Sequence, residues 1–80
     1  MKTKPASKIR KLLRSRFGMS PASTGNSTGH ERWVDRLGRT VHPVLRHKDV
    51  NLESLCSLAW EFEAKGICSR HVFWQAVRKA

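Results

Sequence analysis

The chain has 80 residues, 39% of them hydrophobic, which is enough for one domain (residues 1–80) with a small core. Lys and Arg number 16 against 6 for Asp and Glu, and the formal net charge of +10 favours nucleic acid, an anionic membrane surface or an acidic protein as partner. No apolar run could span a bilayer, no signal peptide is evident, and Cys56 and Cys68 lack the spacing of a zinc site. We therefore expect a cytoplasmic protein with reduced thiols, no membrane segment and no cofactor.

The first predicted element is a basic helix. Residues 1–6 are expected to form a mobile basic tail, and Ser7 can cap a helix that runs to about Phe17, where Gly18 would end it. One stripe of this helix is apolar: Ile9, Leu12, Leu13 and Phe17. The rest of its surface is basic: Lys8, Arg10, Lys11, Arg14 and Arg16. This pattern predicts a polyanion-binding face, for which we select Lys8 and Lys11; the alternative is a solvated basic face.

An uncharged run follows from residue 19 to residue 29 and is rich in Pro, Gly, Ser, Thr and Asn. Such a composition predicts a loop or an irregular edge strand. Gly25 and Gly29 would allow the backbone to approach a ligand closely, although the run lacks the spacing of a phosphate-binding nucleotide loop.

Two strands and a turn come next. From His30 to Asp35 the residues alternate, with Trp33 on the face of the two acids and His30 on the face of Arg32. Residues 36–39 predict a hairpin turn around Gly38. The second strand is expected from Thr40 to about Leu45, at a sheet edge or interrupted by Pro43, with a basic cluster after it: Arg46, His47 and Lys48.

The last third predicts two helices. Asn51 can cap a helix from Leu52 to about Lys65, which Gly66 would end, and Ser69 can cap another over about residues 70–78. The expected core positions of the first are Leu52, Leu55, Ala59 and Phe62, with Cys56 and Leu58 on the flanks. Those of the second are Val72, Phe73, Ala76 and Val77. Trp60 and Trp74 are expected in the core or at its rim.

The order and spacing of several short motifs resemble HicA, the toxin of a type II toxin–antitoxin pair. The motifs, within residues 8–73, are Thr28-Gly29-His30, the turn of residues 37–41, Pro43, Lys48-Asp49, residues 52–58 and Lys65-Gly66-Ile67. The resemblance implies an α+β fold similar to a double-stranded-RNA-binding domain, α-β-β-β-α with helices on one face of a small antiparallel sheet, here followed by a short C-terminal helix. It also implies an endoribonuclease that cleaves mRNA, with His30 catalytic, and a HicB-type antitoxin as partner. The chain departs from the family at Thr28-Gly29, where Gly-Ser is usual.

The residues also suit this chemistry in their own right. Metal-free RNA cleavage needs a base for the ribose 2′-OH and positive charge or N–H donors for the phosphorane. An imidazole such as that of His30 can take and return a proton near neutral pH, and Arg46 or His47 is a candidate acid or charge stabiliser. The full set expected to contact RNA is Lys8, Lys11, Gly29, Arg32, Arg39, Arg46, His47 and Lys48.

The remaining titratable residues predict no second site. His42 is expected to be a strand-surface residue and His71 a helix-surface residue, and the histidines and acids do not make a convincing metal set. The acidic residues are scattered, which argues against two-metal phosphoryl chemistry.

Two other functions remain open on the sequence. The first is a non-catalytic basic module that binds RNA by shape. The second is a small helix–turn–helix regulator built from the last two helices, which three glutamates there disfavour: Glu53, Glu61 and Glu63.

Overall fold

A computed structural model describes residues 3–23 and 30–80 of the chain. The elements are β1 (Thr3–Pro5), α1 (Ala6–Ser15), β2 (Ser20–Ser23), β3 (Arg32–Val34), β4 (Thr40–Val41), β5 (Asp49–Asn51), α2 (Leu52–Ala64) and α3 (Arg70–Lys79). The predicted α+β class is confirmed, including a helix, an antiparallel three-stranded sheet, a second helix and a C-terminal helix in that order. Among the described residues, no helix is long and apolar enough to cross a bilayer.

The three-stranded sheet has the order β2-β3-β4, so β2 and β4 are its edges. Of the two alternatives for the uncharged run, a loop or an irregular edge strand, the second holds for Ser20–Ser23, whose register shifts between Pro21 and Ser23. Residues 24–29 lie outside the described part of the chain, and so do Gly25 and Gly29. The second predicted strand, expected to reach about Leu45, ends at Val41 as β4. Pro43, two residues later, has no N–H to donate to a neighbouring strand.

A second, two-stranded sheet pairs β1 with β5 in antiparallel register, from Thr3 opposite Asn51 to Pro5 opposite Asp49. The expectation of a mobile tail is therefore wrong for Thr3–Pro5. The Ala6 N–H extends the contact by donating to the Lys48 carbonyl at 2.8 Å. These backbone hydrogen bonds join the start of the chain to the strand that leads into α2.

The basic helix buries the predicted stripe. Ile9, Leu12 and Leu13 are buried and Phe17 is partly buried against the core. Ser7 does not cap the helix, which begins at Ala6 directly after Pro5. It ends as predicted near Gly18, whose φ of 62° lies in the left-handed region, with the Met19 N–H donating to the Leu13 carbonyl at 2.9 Å.

Both C-terminal helices begin at the predicted caps. The Asn51 side chain accepts from the Ser54 N–H at 2.8 Å, and the Ser69 hydroxyl accepts from the Val72 N–H at 3.2 Å. The core stripe of α2 differs from the expectation at two positions, because Leu58, expected on a flank, belongs to it and Leu52 does not. Its buried residues are Leu55, Leu58, Ala59 and Phe62. Leu52, in the first turn, is 45% exposed because it lies beyond the edge of the core.

One face of the three-stranded sheet carries Trp33 and Val41, and both belong to the same hydrophobic core as the buried residues of all three helices. Phe62 lies at its centre, with ring centroids 4.8 Å from Phe17 and 4.9 Å from Phe73. The core thus joins the sheet to the helices and leaves the outer face of the sheet to solvent.

Trp74 is partly buried against this core, as expected. The expectation for Trp60 is wrong, because its side chain is 57% exposed, with the Arg70 guanidinium carbon 3.6 Å from the ring centroid. Cys56 is exposed and Cys68 partly buried, both as free thiols.

Candidate active site

The turn between β3 and β4 orients the hairpin that carries His30. The Asp35 carboxylate accepts from the N–H groups of Leu37 at 3.0 Å and Arg39 at 2.8 Å, and from the Arg39 Nε at 2.7 Å. Gly38 completes the turn at a φ of 82°. Burial opposes ionisation of Asp35, but the hydrogen bonds from Arg39 and Leu37 outweigh it and hold the pKa of Asp35 below its usual value.

The residue after His30 anchors this segment to α1 and to the core. One Glu31 oxygen accepts from Arg10 at 2.8 Å, and the other accepts from the indole N–H of buried Trp33 at 3.0 Å. Arg10 also donates to the Leu45 carbonyl at 2.9 Å. The backbone beside His30 is thus held by the ion pair of Arg10 and Glu31, in which the Glu31 side chain is only 12% exposed.

His30 itself is exposed at the start of this segment, where its backbone forms an isolated bridge with Val44. Its Nδ1 lies 3.3 Å from the His42 carbonyl oxygen. A carbonyl can only accept a hydrogen bond, so this contact requires the hydrogen on Nδ1. In the neutral ring the lone pair is then on Nε2, which is the nitrogen that can accept a proton.

The His30 side chain lines an open cleft of about 280 Å³ between the segments that flank the β3–β4 hairpin and one side of α2, from Glu53 to Glu61. The polar side chains that the cleft brings together are His30, His42, Asn51, Glu53, Ser54, Ser57 and Glu61. Glu61 binds His42 twice, with one oxygen 2.8 Å from Nδ1 and the other accepting the backbone N–H at 2.9 Å. The cleft therefore combines two imidazoles and two carboxylates, and among the described residues no Lys or Arg lines it.

The predicted RNA-contacting residues fall into separate groups around this cleft. Arg32 lies closest in the chain, two residues after His30, and is exposed on β3 and paired through its backbone with Ser23 of β2. Arg46, His47 and Lys48 are exposed together beside Arg10, with the Arg46 Nε donating to the His47 ring at 3.2 Å.

The loop between β4 and β5 borders both the cleft and that basic group. Pro43 and Val44 line the cleft, whereas the next residues of the loop, 45–48, line the hollow that contains the basic group. A polyanion bound along this loop would thus contact both the cleft and the basic group. Lys8 and Lys11 lie on a different flank, next to Lys79 at the C-terminus.

Arg39 is used within the fold. Besides binding Asp35, it donates to the Gly66 carbonyl at 2.7 Å and so connects the hairpin to the loop between α2 and α3. It also borders a further basic hollow, with Arg14, Arg16 and Arg36, that was not predicted from the sequence. Gly29, the remaining predicted contact, lies outside the described residues.

The pairing of His42 with Glu61 was not predicted from the sequence either. The hairpin does indicate that His42 lies near His30. In it, Trp33 pairs with Val41. Continuing that register brings His30 opposite Val44 and places His42 one step diagonally from His30 on the same face. The contact with Glu61, 19 residues further on, has no comparable local signal.

No group of three or more His, Cys, Asp or Glu side chains within the described ranges is arranged to hold a metal ion. Comparison of the chain with protein-family models, curated proteins and solved structures finds no match.

Proposed function

We propose that this chain is a metal-independent endoribonuclease that cleaves mRNA in the cytoplasm, with His30 as general base, and that it acts as the toxin of a HicA/HicB-type pair. The observation that carries the proposal is the His30 imidazole, held through Nδ1 by the His42 carbonyl at 3.3 Å in an open cleft. That contact assigns the lone pair to Nε2, as a general base requires. The motif order that resembles HicA supports the same assignment.

The charge of the chain supports RNA as the substrate. A net charge of +10 attracts polyanions over a long range and makes their binding depend on salt. Arg32 is exposed on β3 two residues after His30, and Arg46, His47 and Lys48 are exposed on the same loop as Pro43 and Val44, which line the cleft. These groups would hold the flanking phosphates while the scissile phosphate enters the cleft.

The same field supports an acidic protein as the natural inhibitor. A HicB-type antitoxin that covers the His30 cleft and the neighbouring basic loop would exclude RNA from both. Complementary charge would speed its association with the toxin, and the effect would weaken at high ionic strength.

The test is an RNA cleavage assay in excess EDTA with the wild type, His30→Gln and His71→Gln. His71 is exposed on α3, outside the cleft, and makes a matched histidine control. We expect His30→Gln to cut at least about 100-fold more slowly than the wild type while binding RNA equally. His71→Gln should cut normally. Cleavage by His30→Gln at the wild-type rate, with circular dichroism showing both proteins folded, would refute the role of His30.

A non-catalytic RNA-binding module is the second candidate, and the wall of the cleft favours it. Its charged side chains are Glu53 and Glu61, which repel phosphates, whereas basic residues such as Lys8 and Lys11 lie outside the cleft. This alternative predicts binding without cleavage by the wild type. Replacing both lysines with Gln should then lower the slope of log affinity against log salt by about 0.7–0.9 for each phosphate that the variant no longer neutralises.

A further inference from the structure

We propose that His42 is a second catalytic residue of the cleft, held by Glu61, and that it protonates the leaving 5′-oxygen while His30 removes the 2′-OH proton. This inference rests on the proposed ribonuclease function and names the group that supplies its second proton transfer. The geometry points to it through two features: the way Glu61 holds the His42 ring, and the position of that ring relative to His30.

Glu61 holds both the ring and the backbone of His42. One oxygen accepts the His42 N–H at 2.9 Å, which satisfies a donor just beyond the end of edge strand β4. The other lies 2.8 Å from Nδ1 of the ring. A carboxylate can only accept a hydrogen bond, so Nδ1 carries the hydrogen and Nε2 becomes the atom that can exchange protons with a substrate.

The pair lies at the surface. The Glu61 side chain is 24% exposed and that of His42 is 45% exposed. An ion pair at such a position adds little to stability, so its contribution to the fold is a weak reason for the arrangement. A carboxylate that orients an imidazole and balances its charge when protonated is, by contrast, a recurrent device of acid–base catalysis.

The two histidines are neighbours across the same opening. Their rings line one cleft, and the Nδ1 of His30 is 3.3 Å from the backbone oxygen of His42. Both rings are therefore held through Nδ1, so that Nε2 is the proton-transfer atom in each. The other titratable side chains of the cleft are Glu53 and Glu61, both from α2.

The resulting step is balanced in atoms and protons. The Nε2 of neutral His30 takes the proton of the 2′-OH as the 2′-oxygen forms a bond to phosphorus. The bond between phosphorus and the 5′-oxygen breaks, and Nε2–H of protonated His42 gives its proton to that oxygen. The products are a 2′,3′-cyclic phosphate and a 5′-hydroxyl end. Exchange of protons with water then returns both imidazoles to their starting states.

A substrate whose leaving group needs no proton separates the two roles. We would compare two oligonucleotides that each contain one cleavable phosphodiester linkage. In the first, called the ordinary linkage, the bridging 5′-atom is oxygen. In the second, called the sulfur linkage, it is sulfur. A thiolate is far less basic than an alkoxide and departs without an acid, so the general acid becomes dispensable while the general base remains necessary.

The full-length chain would be tested in EDTA as wild type, His30→Gln, His42→Gln, Glu61→Gln and Glu63→Gln. We expect His42→Gln to cut the ordinary linkage at least about 100-fold more slowly, but the sulfur linkage within about tenfold of the wild type. Glu61→Gln should show the same pattern more weakly. His30→Gln should lose activity on both linkages. Glu63→Gln is the matched control, because Glu63 lies on the same helix and pairs with Arg70 outside the cleft.

Two results would overturn the inference while leaving His30 in place. One is an ordinary linkage cut by His42→Gln as fast as by the wild type. The other is an equal loss of cleavage rate on both linkages in His42→Gln when circular dichroism shows that variant to be folded. A structural defect would produce this result, because it would not distinguish oxygen from sulfur. If the wild type cuts neither linkage, the proposed function itself fails, and the role of His42 fails with it.

Discussion

Replacing Asp35 with Asn tests how far the hairpin that carries His30 depends on one buried carboxylate. In the native turn, Oδ1 accepts from the backbone N–H groups of Leu37 and Arg39, and Oδ2 accepts from the Arg39 guanidinium at 2.7 Å. Asparagine keeps an oxygen for the two backbone donors. It places an NH₂ group opposite the guanidinium, however, so one charge-assisted hydrogen bond is lost.

The expected loss follows from the burial of the two partners. A hydrogen bond to a charged group contributes about 1.5–3 kcal/mol. The Asp35 side chain is only 5% exposed, but that of Arg39 is 33% exposed and can recover part of the interaction with water. We therefore expect the free energy of unfolding to fall by about 2 kcal/mol. For a domain of this size that corresponds to a Tm lower by about 8–16 °C.

Urea unfolding followed by tryptophan fluorescence measures this loss, with Asp49→Asn as control because Asp49 is exposed on β5. The pH dependence gives an independent check. The folded pKa of Asp35 is lowered, so the unfolded state binds more protons in acid and the free energy of unfolding rises with pH there. The contribution is complete above the unfolded pKa of about 3.9 and is lost as the pH falls through the folded value.

The stability gap between the wild type and Asp35→Asn should therefore narrow below about pH 4. Two outcomes would refute the reasoning. In the first, Asp35→Asn and Asp49→Asn unfold at the same urea concentration at pH 7. In the second, the gap between Asp35→Asn and the wild type is as wide at pH 2 as at pH 7.

Two further predictions concern Gly38 and the thiols. Gly38→Ala should lower the free energy of unfolding by about 1–2 kcal/mol in the same urea assay, because a φ of 82° is unfavourable for alanine. The added methyl group itself has room, since no atom lies within 4 Å of it. An unchanged urea midpoint would contradict this prediction. Burial raises the pKa of the Cys68 thiol, whereas Cys56 is exposed, so iodoacetamide near neutral pH should alkylate Cys56 first. Equal rates in a mass-spectrometric time course would show that Cys68 is not shielded.

Much of the fold could be predicted because its signals are local. The apolar stripe of α1, the side-chain caps at Asn51 and Ser69, and the turn at Gly38 each depend on residues within about four positions of one another. Helical spacing and turn chemistry state such relations directly in the sequence. The pairing of β1 was missed because nothing near Thr3–Pro5 indicates that its partner is a strand in the second half of the chain.

The candidate site divides in the same way. The sequence singled out His30 and predicted an alternation that puts it on the same face as Arg32. Tertiary structure decided that the His30 ring meets the His42 carbonyl, that Glu61 of α2 holds the His42 ring, and that Arg39 is bound to Asp35 and Gly66. The physical reason is the range of the contacts. The contacts of His30 with His42, of Glu61 with His42 and of Arg39 with Gly66 join residues at least 12 positions apart, whose relative positions are set by the packing of the shared core, whereas the Asp35–Arg39 pair is local.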